Sequence, residues 1–166
     1  MPDAQVLVKM ESNQSGDLVA TARAKAKQHP KDAFLHALLA ETLVQSGASP
    51  GTPEFNEACD AAVRAIELNP KLGLAHNILG GLQLEDGKLH LAAKECRTAL
   101  GIDPADQVAL YHLVRTLRKS NQPQEIPSLL KKVAELRAEA RKKEAEANRY
   151  KLVEQPLPPN SGAGSE

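Results

Sequence analysis

Ile66-Glu67-Leu68-Asn69-Pro70 returns further along the chain as Leu100-Gly101-Ile102-Asp103-Pro104, so that Pro104 follows Pro70 by 34 residues. A fixed period of this length marks an array of like units, each too small to bury its apolar face alone. An earlier His29-Pro30 precedes Pro70 by 40 residues. The surplus of six falls at Ala48-Ser49-Pro50-Gly51-Thr52-Pro53, a run with strong turn chemistry, and reads as one loop insertion in a constant period.

Between these prolines the apolar residues follow helical spacing twice per period, with a turn in the middle. Leu35, Leu38, Leu39 and Leu43 form one face before Gly47, and Ala58, Ala61, Ala62, Ala65 and Ile66 form the next. Ala75, Ile78, Leu79 and Leu82 precede Gly87, and Leu91, Ala92, Cys96, Ala99 and Leu100 follow it. The third unit carries Val108, Leu110, Leu113, Val114 and Leu117, turns near Asn121, and resumes with Ile126, Leu129, Leu130, Val133 and Leu136. Pro123 and Pro127 suit a first helical turn, where a missing N–H costs little. Each unit is therefore expected to be a helix hairpin.

Composition agrees with an all-α chain. Of 166 residues 42% are hydrophobic but only 2% aromatic, with no Trp, so Ala, Leu, Val and Ile must fill the core. Lys plus Arg and Asp plus Glu both number 21, and a net charge of zero gives no general attraction for nucleic acid or an anionic membrane. Apolar runs fall far short of the roughly 20 residues of a membrane span. Met1 to Gly16 lacks the basic start and apolar centre of a secretory signal. A soluble chain, cytoplasmic by default, is the expectation, with an exported parent protein left open.

The repeats resemble the tetratricopeptide repeat family. The middle repeat carries the resemblance best, with Leu79, Gly80, Ala92, Ala99 and Pro104 at signature positions. The first matches at Leu39, Ala40, Ala58, Ala65 and Pro70, and the third at Leu113, Ile126 and Val133. His36, His76 and Leu110 replace the family's large aromatic, and the third repeat lacks its closing Pro. The resemblance implies a right-handed α-α superhelix, a solenoid of helix hairpins. The expected organisation is a flexible segment or remnant helix at 1–16, ending in a turn at Ser15-Gly16-Asp17, and then a repeat domain at 17–137. That domain divides into a half repeat (17–30) and units at 33–70, 73–104 and 107–137. A charged capping helix extension (138–153) and a disordered tail (154–166) complete the chain.

No residues assemble a catalytic or phosphate-binding motif, so neither an enzyme nor a cofactor or metal site is expected. His36 and His76 recur because the repeat recurs, and are read as packing residues with a polar edge. Cys59 and Cys96 fall at small-residue positions and are read as buried packing residues. Gly80-Gly81 lies within a helix, where it permits close approach of a neighbour.

In the family the first helix of each unit lines a concave groove that binds a peptide or helix of another protein. Carried over by position, the resemblance implies Phe34, Ala37, Glu41, Val44 and Gln45 from the first unit and Leu74, Asn77, Gly81, Leu84 and Glu85 from the second. The third contributes Val108, Tyr111, Arg115, Arg118 and Lys119. The expected surface grades from acidic to basic, with apolar anchors near Phe34, Leu74 and Leu84, Asn77 on the ligand backbone, and the arginines receiving an acidic group. The positions of the clamp that holds chaperone C-termini in some members are occupied by Ala37 and Glu41. The alternative is an assembly segment forming the C-terminal end of a longer repeat protein, and the thin apolar side of the last helix leaves room for weak self-association.

Overall fold

The computed structural model describes the backbone of residues 4–153 and the side chains of residues 16–149; the expected tail at 154–166 lies outside them. Among the described residues there are seven α-helices and no strand. They are α1 (Ala4–Gln28), α2 (Ala33–Gln45), α3 (Pro53–Leu68), α4 (Gly73–Glu85), α5 (Leu89–Ile102), α6 (Gln107–Lys119) and α7 (Ile126–Val153), the last preceded by a 3-10 turn at Pro123–Glu125. Successive helices pack as hairpins α2–α3 and α4–α5, the start of α7 meets α6 through Ile126 and Leu129, and among the first helices α4 lies against both α2 and α6.

The three first helices end alike, and the sequence says why. Gly47, Gly87 and Asn121 each take a positive φ just past the helix, a conformation that only Gly, and after it Asn, adopts cheaply. This lets the N–H of Ala48, Lys88 and Gln122 reach back to the carbonyls of Leu43, Gln83 and Leu117, closing the orphan acceptors of the helix end. Helix starts are less uniform. Asp32 and Asp106 cap α2 and α6 through their carboxylates, whereas Leu72, at the same register before α4, gives no side-chain cap and packs against the apolar cluster of Ala37, Ala65 and Ala75.

Two expectations at boundaries change. The helix α1 runs unbroken through Ser15-Gly16-Asp17, where a turn was expected. A single Gly costs a helix only about 1 kcal/mol, too little to stop one. In the insertion, Pro53 belongs to α3 as its first residue, with Thr52 as N-cap accepting from the Phe55 N–H at 3.2 Å.

Val19, Ala22 and Ala26 of α1 enter the same apolar cluster as Leu39 and Leu43 of α2, Phe55, Ala58 and Ala62 of α3, and Leu79 and Leu82 of α4. Arg23 adds a bidentate pair to Glu57 of α3, both bonds 2.7 Å, so α1 seals one end of the stack. At the other end Ile126 and Leu129 of α7 join Leu113 and Leu117 of α6. Beyond Arg137 every described side chain of α7 is exposed.

Glycines set the middle hairpin's spacing. A Cβ on Gly80 would stand 2.7 Å from Cys96 Sγ of α5, and one on Gly81 2.7 Å from the His112 ring of α6. The α4 backbone is thus pressed against both neighbours, as Gly80-Gly81 within a helix suggested.

Candidate partner-binding groove

A groove of about 400 Å³ crosses the three stacked first helices. Glu41, Val44 and Gln45 line it from α2; Leu74, Asn77, Ile78, Gly81, Leu82 and Glu85 from α4; Val108 and His112 from α6. Ala48 and Phe55, from the insertion loop and the start of α3, complete the wall. The lining is mostly apolar, with Glu41, Gln45, Asn77, Glu85 and His112 as its polar members.

Of the residues expected in the groove, Glu41, Val44, Gln45, Leu74, Asn77, Gly81, Glu85 and Val108 line it, whereas Ala37 is buried. Phe34 and Tyr111 are exposed on the same first helices, outside the lining. Arg118 and Lys119 are exposed in the last turn of α6, where cations favour the helix dipole, and also lie outside it.

Leu84 is not available as an anchor: it is 0% exposed. The equivalent Val44 on α2 is 42% exposed, so register alone does not decide exposure. Packed against α2, α3, α5 and α6, α4 is covered on sides that α2 leaves open.

Asn77 holds two units together. It is 7% exposed, and its amide nitrogen lies 3.3 and 3.2 Å from the two carboxylate oxygens of Asp106, the N-cap of α6. A carboxylate only accepts, so the amide must turn its N–H groups toward it, leaving Oδ1 without a partner. The donors expected for a ligand backbone are therefore engaged within the protein.

The charge gradient is also shorter than expected. Arg115 donates to Glu85 at 3.0 Å and lies 5.5 Å from the centre of the Tyr111 ring, so its charge is already matched. Glu41 is met by the Gln45 amide at 3.3 Å.

His112 was not among the expected site residues. It holds the register of Leu38 and Ile78, which the helical pattern assigns to the apolar packing face. Burial pushes its imidazole below the ordinary value, which favours the neutral form. Phe55 and Ala48 escaped notice because the family pattern assigns the groove to first helices alone.

His36 and His76 both direct Nε2 to a proline carbonyl six residues earlier, Pro30 at 3.1 Å and Pro70 at 2.9 Å. His76 adds Glu95 of α5 on its other ring nitrogen at 2.7 Å. These contacts tie each hairpin to the turn before it. Cys96 is buried and its thiol is pushed up to about 12 by that burial, with nearby Asp106 and Glu95 adding to the effect. The half-buried Cys59 is raised for the same first reason. Among the described residues no group of three or more His, Cys, Asp or Glu is placed to hold a metal ion, and no helix is long and apolar enough to cross a membrane.

No family model matches the chain, and no curated protein matches it in sequence. Among solved structures, a crystal structure of MamA matches with a TM-score of 0.65 at 20% identity, covering 80% of this chain and 74% of that one. A second MamA crystal structure matches with a TM-score of 0.63 at 21% identity, over 90% of this chain and 73% of the other. Identities this low carry the fold alone, and that fold is a tetratricopeptide-like solenoid of helix hairpins, shared with MamA.

Proposed function

We propose that the chain is a tetratricopeptide repeat protein that binds a peptide or helix of another protein in the groove crossing α2, α4 and α6. The observation that carries this reading is the groove itself: an apolar concavity of about 400 Å³ built from all three repeats, with Val44 and Leu74 on its walls. Phe34 and Tyr111 beside it leave large apolar surface in water, which a partner would cover. The burial of Cys96, the raised thiol of Cys59 and the tethering roles of His36 and His76 leave these residues little part in catalysis, which favours binding over an enzyme reading.

The test is affinity capture from native lysate with the full chain, in parallel with a Val44→Asp, Leu74→Asp variant checked for helicity. Partners held by the wild type and lost from the folded variant support the groove. Retention of the same partners by both would move the binding surface elsewhere and favour an assembly segment.

A further inference from the structure

The polar atoms around the groove are unequal in kind. Its ionisable lining residues are Glu41, Glu85 and His112, and neither Lys nor Arg lines it. Arg115 reaches Glu85 through one oxygen only, and among the described residues no ion pair involves Glu41. The Asn77 donors are committed to Asp106 and one Gln45 N–H to Glu41. The charged groups left for a ligand are carboxylates beside an apolar floor. An acidic ligand would meet carboxylates and no free cation; a cationic one would meet complementary charge.

From this charge complementarity, and resting on the groove reading above, we propose that the occupant is a basic, apolar segment of a partner protein. One large apolar side chain enters between Val44, Leu74 and Ile78, and a neighbouring Lys or Arg faces Glu41. The expected preference is opposite to an acid-terminated peptide held by Arg115, Arg118 and Lys119. Glu41 confers the charge preference, and the apolar floor confers binding itself.

The experiment is selection of short random peptides displayed on phage against the full chain. Enriched peptides are then synthesised and their affinity measured by fluorescence anisotropy for wild type, Glu41→Lys and the Val44→Asp, Leu74→Asp variant. Enriched sequences should pair a large apolar residue with Lys or Arg, and Glu41→Lys should weaken them about ten-fold or more. Replacing the peptide's cation by Gln should bring wild type and Glu41→Lys together. Acid-rich peptides, or peptides indifferent to Glu41→Lys but lost from the double variant, would overturn the charge proposal and keep the groove. Peptides bound equally by all three proteins, or no enrichment, would sink the groove reading and the proposal with it. Sedimentation of the free protein covers the remaining occupant: self-association abolished by Glu41→Lys would make that occupant a second copy of this chain and overturn the commitment to a different partner.

Discussion

On α4, Asn77 and Leu84 are closed off; one period later on α6, Tyr111 and Arg118 stand open at the same register. Neither residue type nor position within the unit explains the contrast, since Ala37 is buried at the first of these registers and Val44 is exposed at the second. Neighbours explain it. The middle hairpin has a unit on each side, whereas among the described residues no further helix stacks beyond α6, and in a solenoid burial comes from the adjoining unit. Residues in the middle hairpin should therefore govern stability, and their counterparts at the end should not.

Leu84→Ala tests this most severely. Removing a fully buried side chain should cost about 3 kcal/mol in urea unfolding, while Arg118→Ala should stay within about 0.5 kcal/mol. Equal effects would erase the contrast. Next comes Gly80→Ala, whose new methyl meets Cys96 Sγ at 2.7 Å; the expected loss is about 2 kcal/mol, and Cys96→Ala in the same chain should recover part of it. Asn77→Ala should cost about 1.5 kcal/mol through the lost bonds to Asp106, against about 0.5 kcal/mol for Tyr111→Ala.

The smallest expected effect concerns pH. Because burial lowers the His112 value, the unfolded chain binds a proton that the folded protein refuses. The stability tied to this residue is fully present above the ordinary histidine value and falls as pH drops through it. His112→Leu, which restores the residue type found at Leu38, should flatten the pH dependence of unfolding between about pH 5 and 7 relative to wild type. A slope unchanged by the substitution would place the titration elsewhere.

Much of this architecture was legible because the repeat is written in residues that act locally. Gly47, Gly87 and Asn121 mark the turns, and the Leu and Ala stripes mark the faces, from helical period alone. What the sequence hid was cooperative. Gly16 looks like a turn until α1 is seen to continue through it. Glu41, Leu74 and Asn77 were placed in the groove by register, but the partner of Asn77 is Asp106, in the next unit. Arg115 looked like a free cation because Glu85 lies 30 residues away, at a distance no local pattern reports. His112 and Phe55 line the groove from positions that a rule about first-helix surface residues passes over.

The groove can be tested most directly by titrating isotope-labelled full chain with a selected peptide and following backbone amide shifts by NMR. The largest changes are expected at Glu41, Val44, Leu74, Ile78 and Val108, from three separate helices on one surface. Changes confined to α3, α5 or the exposed length of α7 would contradict it.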